Sequence, residues 1–143
     1  MTDPRFAPYA LTLLRLSLGV MFIAHAWLKV AVFTVPGFAG FMAQAGFPPS
    51  LALPVIVAEA LGGVALILGL YARAVSVVLL PVLAGALMVH AGNGWVFNAP
   101  NGGWEYPAFL IVGALVQALA GDGALALRAT PVPASRPALA AAA

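Results

Sequence analysis

Four long runs of apolar residues make up most of this 143-residue chain and leave little polar surface for a water-soluble fold. The runs cover residues 9–35, 51–70, 74–91 and 104–120. A helix of about 20 apolar residues, at about 1.5 Å per residue, crosses the ~30 Å hydrocarbon core of a bilayer. Because only 7% of the residues are charged, against about 25% in an average soluble domain, the sequence predicts an all-α membrane protein with four spans.

The basic residues predict how these spans are oriented. Arginine occurs near the N-terminus, in the turn between the second and third spans, and in the tail: Arg5, Arg15, Arg73, Arg128 and Arg136. The loops 34–50 and 92–103 contain neither lysine nor arginine. Since basic loops stay in the cytoplasm, both termini are predicted to be cytoplasmic and the two uncharged loops external. The expected architecture is a four-transmembrane-helix antiparallel bundle.

Glycine and proline predict the limits of this bundle and the contacts inside it. Residues 1–128 are expected to form one domain, and residues 129–143, rich in proline and alanine, a disordered cytoplasmic tail. The loop 34–50 is expected to be irregular. Small residues that let helices approach closely recur at helix-contact spacing: Ala58, Gly62, Gly69, Gly85 and Gly113.

Ionisable residues inside the spans are the candidates for function, because keeping a charge within a bilayer is costly. At about 100° per residue, Arg15, His25 and Lys29 fall on one face of the first helix, which is therefore predicted to point into the bundle. Counted at about 1.5 Å per residue, His25 and Glu59 lie at nearly equal depth, with Lys29 one turn nearer the outer surface. His90 and Glu105 are weaker candidates, near the outer ends of the third and fourth spans.

Two interpretations of this set remain open. In the first, His25, Lys29 and Glu59 form a polar pocket or a proton relay that is open to the outer face, since histidine and buried carboxylates can hold and release protons. In the second, Lys29 and Glu59 are a buried ion pair that fixes helix register, with His25 as a hydrogen-bonded neighbour. Arg15 is expected to snorkel towards the headgroups or to pair with Asp122.

Composition also excludes some chemistry. The chain has no cysteine, which excludes disulfides and thiolate-held clusters within it. Its two histidines lie in different spans and at different depths, so no metal site is predicted. A net charge of +2 carries no nucleic-acid signature.

Three ordered motifs resemble the DoxX family of small four-span bacterial membrane proteins. They are residues 14–19 (LRLSLG) followed by Phe22, His25 and Lys29, residues 59–73 (EALGGVALILGLYAR), and residues 103–107 (GWEYP). The chain departs from the family pattern at Ala26, where glycine is common, and at 121–123, where Gly-Asp-Gly replaces Gly-Pro-Gly. The resemblance runs from about residue 9 to about residue 128.

The resemblance implies a location in the bacterial cytoplasmic (inner) membrane and several candidate functions. Members named for thiosulfate:quinone oxidoreductase imply a membrane subunit of a quinone-linked redox system, in which His25, Lys29 and Glu59 would shape a quinone or proton site. No residue here identifies thiosulfate. Because no side chain in the chain readily carries electrons, such a subunit would need a cofactor or a partner.

Two other functions are alternatives. The chain could be a non-enzymatic scaffold or assembly factor for a redox or stress-response partner, or a small-molecule or proton transporter. Transport is disfavoured, because four spans show no clear inverted repeat. The expected partners are the lipid bilayer and either a protein of a redox complex or a second copy of the chain.

Overall fold

The computed structural model describes residues 3–131 and consists, within them, of helices joined by turns. The helices are α1 (Ala7–Ala31), α2 (Val35–Gln44), α3 (Ala52–Leu68), α4 (Ala72–His90) and α5 (Glu105–Ala120), with a 3-10 turn at Pro49–Leu51 that leads into α3. By length and hydropathy, α1, α3 with its leading turn, and α4 can each cross a membrane, whereas α5 is shorter, at 16 residues. The chain is thus a helical membrane protein, and a fourth crossing by α5 stays a prediction.

The expectation of an irregular loop over residues 34–50 is wrong for most of its length. The first helix ends at Ala31, and α2 follows after a sharp reversal. Thr34 turns the chain with a φ of 61° and then caps α2, because its side chain accepts a hydrogen bond from the Gly37 N–H. Pro36 does not interrupt this helix, since it lies in the first turn, where no intrahelical donor is needed.

The apolar face of α2 explains why this short helix stays on the bundle. Phe38 and Met42, one helical turn apart, are both buried. They pack with Ala26, Ala52 and Ile56 in a cluster between α1, α2 and the start of α3. At ten residues, or about 15 Å, α2 is too short to cross a bilayer.

The helices α1 and α3 cross closely at two glycines that face each other. A Cβ built on Gly19 would lie 2.8 Å from the Gly63 carbonyl oxygen, and one built on Gly63 would lie 2.8 Å from the Gly19 carbonyl oxygen. Each glycine therefore leaves the space that the other backbone fills, which is how small residues bring helices together in lipid.

The predicted small-residue contacts have mixed outcomes. A Cβ on Gly62 would meet the Leu79 side chain of α4 at 2.8 Å, which confirms the predicted contact. Gly69, with a φ of 68°, leaves room for the Arg15 guanidinium group. Gly113 has only ordinary contacts, at 3.5 Å or more. The prediction for Gly85 is wrong, because no atom lies within 4 Å of its added Cβ.

Arg15 is buried in the bundle and does not snorkel. It is 1% exposed, and its guanidinium group donates to the carbonyl oxygens of Leu66 at 3.1 Å and Ile67 at 3.2 Å, and to that of Ala124 at 3.3 Å. The expected pairing with Asp122 is not among the ion pairs of residues 3–131. Arg15 instead donates to carbonyl groups in the last turn of α3, where a helix leaves carbonyls short of backbone donors.

The segment after α5 forms hydrogen bonds at the end of the bundle where α3 ends. The backbone N–H of Arg128 donates to the Gly69 carbonyl oxygen at 3.0 Å, and the backbone carbonyl oxygen of Arg128 accepts from the Tyr71 N–H at 2.8 Å. Arg73 donates through Nε to the Ala118 carbonyl at 2.9 Å and so caps α5. The four described arginines therefore share one end of the bundle, which we call the arginine end. The opposite end, which carries α2, is the α2 end.

Asp122 organises the last described residues. Its carboxylate accepts hydrogen bonds from the Thr130 hydroxyl at 2.7 Å, the Thr130 N–H at 2.9 Å and the Arg73 N–H at 3.1 Å. Partial burial raises the pKa of Asp122, but the bonds from Thr130 and then Arg73 outweigh that effect and hold the pKa below its usual value. The predicted tail, 129–143, lies outside the described residues beyond position 131.

Candidate functional site

A cavity of about 900 Å³ lies between the helices towards the α2 end. All five helices contribute to its wall, which is mainly apolar, with Phe22, Phe38, Val55, Leu83 and Leu110 among its members. Its volume lies in the range of about 300–1,000 Å³ that is typical of small-molecule sites. The histidine, lysine and glutamate residues that reach it are His25, Lys29, Glu59 and His90.

Lys29 and Glu59 form an ion pair in the wall of this cavity. The Lys29 Nζ lies 2.8 Å from Oε1 and 2.7 Å from Oε2 of Glu59. Their side chains are only 13% and 6% exposed. The ammonium also lies 5.3 Å from the centre of the Phe38 ring, within the range of a cation–π contact. The two charges therefore compensate one another, and α2 supplies the ring that covers them.

His25 lies on the same face of α1, one turn before Lys29. Its Nδ1 is 2.8 Å from the Met21 carbonyl oxygen. Its ring stacks on that of Tyr106, with centroids 5.6 Å apart and planes inclined by 23°. The predicted convergence of His25, Lys29 and Glu59 is thus present in the structure, and their functional role stays a proposal.

His90 reaches the same cavity from the end of α4. Its Nδ1 is 2.7 Å from the Ala86 carbonyl oxygen, so the ring lies along its own helix in the same way as His25. Gly102 lies against this ring, where an added Cβ would come within 3.2 Å of the His90 Cδ2. The loop before α5 therefore passes over the imidazole at close range.

Glu105 has a different role from the other candidates. Its Oε1 accepts the Phe97 N–H at 2.8 Å, which ties the preceding loop to the first turn of α5. It does not line the cavity. The neighbouring Trp95 and Trp104 rings meet edge to face, 4.4 Å apart, and hold the same loop. The structure thus shows Glu105 in a contact with the loop and outside the wall of the cavity, and a functional role for Glu105 stays a prediction.

Tyr106 is the site residue that sequence reasoning missed. The sequence indicates only an aromatic residue at a helix entry, of the type that settles at the membrane surface. In the structure, the Tyr106 ring lines the cavity, and its buried hydroxyl has no hydrogen-bond partner in the described part of the chain. A buried hydroxyl without a partner is rare in folded proteins, so a water molecule or a ligand is expected to bond it.

The sequence model of the DoxX family matches residues 10–92, which is more than half of the chain. The chain belongs to the DoxX family. The matched region runs from the first helix to the end of α4, and it holds the four histidine, lysine and glutamate residues of the cavity. The third motif of this DoxX protein, at 103–107, and Tyr106 within it lie beyond the match. Neither curated proteins nor solved structures gave a match to the chain.

The arrangement in this DoxX protein can bind a ligand and place polar groups around it. Between residues 3 and 131, no cluster of three histidine, aspartate or glutamate side chains could hold a metal ion. The polar side chains that line the cavity besides the ion pair include the two imidazoles and Tyr106, set in an apolar wall. This combination suits a mostly apolar molecule with a polar head.

Proposed function

We propose that the cavity binds a neutral, mainly apolar molecule with a hydrogen-bonding head group, and that a quinone fills this role. The chain would then serve as the membrane subunit of a quinone-linked redox system. One observation carries the proposal: a 900 Å³ apolar cavity is lined by two imidazoles and by Tyr106, whose hydroxyl has no hydrogen-bond partner within residues 3–131.

The charge pattern favours a neutral ligand over an anion such as thiosulfate. Lys29 is the one lysine of the chain and the cation of the cavity wall. Its ammonium is held by both Glu59 oxygens and by the Phe38 ring. An anion would have to displace the Glu59 carboxylate from this pair, and leaving a buried charge unpaired is costly. A neutral head group needs no such rearrangement.

A quinone would place its ring where the polar groups meet. Tyr106 stacks on His25 along one side of the cavity, and His90 reaches it from α4. The apolar wall would take an isoprenoid or alkyl chain. Electron transfer itself would need a cofactor or a partner protein, because no side chain near the cavity readily carries electrons.

The membrane setting completes the proposal. We assign the arginine end, with both termini, to the cytoplasm of a bacterial inner membrane, following the distribution of basic residues. α5 would be the fourth span, and the cavity would then lie towards the outer face. A partner protein that carries a redox cofactor would exchange electrons with the bound quinone, and a second copy of the chain is the other candidate partner in the membrane.

The experiment is an isothermal calorimetric titration. A short-chain alkyl benzoquinone is added to the detergent-purified protein, and the heat of binding is measured. Gly85 lines the cavity, and no atom lies within 4 Å of its added Cβ, so Gly85→Phe should fill the space where a ligand would sit. Gly40→Phe is the matched control, because Gly40 also has open space and lies outside the cavity wall.

We expect saturable binding of about one quinone per chain, weakened about tenfold or more by Gly85→Phe and unchanged by Gly40→Phe. Partition of quinone into detergent is not saturable and does not depend on either substitution. Absence of saturable binding of the quinone and of its reduced form alike, or equal binding by both variants, would contradict the proposed function.

A further inference from the structure

We propose that the cavity prefers a ligand whose head group donates hydrogen bonds, and therefore binds a hydroquinone more tightly than the corresponding quinone. This inference rests on the proposed function and specifies the form of the ligand. It follows from the hydrogen bonds of two imidazoles, His25 and His90.

The bond to Met21 fixes which nitrogen of His25 carries hydrogen. The Nδ1 lies 2.8 Å from the Met21 carbonyl oxygen, and a carbonyl oxygen can only accept. The Nδ1 must therefore be the donor, and it carries the hydrogen of the neutral ring. The remaining nitrogen, Nε2, then presents a lone pair and acts as an acceptor.

The same assignment holds for His90, on a different helix. Its Nδ1 lies 2.7 Å from the Ala86 carbonyl oxygen, so Nδ1 is again the donor and Nε2 the acceptor. In both cases the partner carbonyl lies four residues earlier on the same helix, where the backbone holds it in place. Ligand binding would not have to disturb either bond.

Both acceptor nitrogens remain available to a ligand. Each ring lines the cavity, and neither Nε2 bonds to another group of residues 3–131. The charged groups of the wall, Lys29 and Glu59, are engaged with one another. The Tyr106 hydroxyl is the remaining unpartnered group, and it can either donate or accept.

This polarity discriminates between two molecules of nearly the same shape. The oxygens of a quinone only accept, so beside Nε2 they would face a lone pair and leave both groups unsatisfied. The hydroxyls of a hydroquinone can donate to His25 or His90. Tyr106 can donate to either form and so permits residual quinone binding. A site built to bond a hydroxyl rejects an analogue that lacks the donor.

The test compares two probes of equal chain length, an alkyl hydroquinone and the alkyl benzoquinone, under argon at about pH 8.5, where an ordinary imidazole is neutral. The dimethyl ether of the hydroquinone is a third probe, because it keeps the oxidation state and removes both donors. We expect the hydroquinone to bind about tenfold or more tightly than the quinone or the ether.

Variants then test whether His25 and His90 cause the preference for hydroquinone. His25→Phe and His90→Phe keep an aromatic ring and remove the acceptor, so each should lower the ratio of hydroquinone affinity to quinone affinity, by about threefold or more. Retained quinone binding also shows that the variant is folded. Trp27→Phe is the control, because Trp27 is 69% exposed on α1 and lies outside the cavity wall; it should leave the preference unchanged.

The outcomes separate the two proposals. If neither probe binds the wild-type protein, the proposed function fails, and this inference fails with it. If the quinone binds as tightly as the hydroquinone, or more tightly, the function survives and the inference is overturned. The inference is also overturned if both histidine variants keep the full preference for the hydroquinone.

Discussion

The Lys29 ammonium donates to both carboxylate oxygens of Glu59, at 2.8 and 2.7 Å, and so joins α1 to α3. The two glycines at the crossing of these helices, Gly19 and Gly63, keep the backbones close. The ion pair therefore joins the same two helices as the glycine crossing, and it lies in the wall of the cavity. This position is compatible with both interpretations that the sequence leaves open, a structural ion pair and a functional polar pocket.

A double-mutant cycle at this pair measures its structural role. Lys29→Met or Glu59→Gln alone leaves the other group buried and unpaired, so each should lower the free energy of unfolding by about 3–5 kcal/mol. The double variant should recover most of that loss. Unfolding in detergent gives the three values. Additive losses would show that the residues do not depend on one another.

Two glycine-to-alanine substitutions test the helix crossing. At Gly63 an added Cβ would lie 2.8 Å from a backbone oxygen of Gly19, so Gly63→Ala should destabilise the protein by about 1–3 kcal/mol. At Gly85 the space is open, and Gly85→Ala should be neutral or stabilise by up to about 1 kcal/mol, because alanine favours a helix. The melting temperature of Gly63→Ala should fall below that of the wild-type protein, and the melting temperature of Gly85→Ala should stay the same or rise. Equal effects would contradict the crossing.

Asp122 should make stability depend on acidic pH. Its pKa in the folded protein is lowered from the usual 3.8, so the unfolded chain binds a proton more readily than the folded one. The stabilisation is therefore complete above the usual pKa and is lost as pH falls through the lower folded value. We expect Asp122→Asn to reduce the free energy of unfolding at neutral pH and to flatten its acid dependence. Identical pH profiles would contradict this assignment.

Membrane orientation can be tested with single cysteines, since the natural chain has none. Gln44→Cys and Asn98→Cys lie on exposed residues at the α2 end, and Ala129→Cys lies on an exposed residue at the arginine end. In intact cells, an impermeant thiol reagent should label the first two and spare the third. Labelling with the opposite pattern would reverse the orientation and place the cavity towards the cytoplasm.

The sequence predicted the long helices well because hydropathy over a span-length window is a strong, local signal. The ends of α3, α4 and α5 agree with the predicted runs to within about two residues. The prediction from sequence failed at α2. Pro36 and two glycines there are typical of a loop, although proline in a first turn is compatible with a helix. There the burial of Phe38 and Met42 outweighs local propensity.

The candidate site was predicted only in part, for a related reason. Helical periodicity and depth were enough to bring His25, Lys29 and Glu59 together, since each lies on a regular helix. They could not show that Arg15 bonds to carbonyls of α3, or that Tyr106 stacks on His25. Both contacts join elements far apart in the chain, and their geometry depends on how the helices pack.

The central claim is that the cavity holds a neutral quinone-type molecule, and the most direct test is to identify what the protein carries. Native mass spectrometry of the protein released gently from its membrane should show an added mass of about one quinone-type molecule per chain. The Gly85→Phe variant should lack this mass, and the Gly40→Phe variant should keep it. A wild-type protein that carries no such molecule, or that carries one equally in the Gly85→Phe variant, would contradict the account.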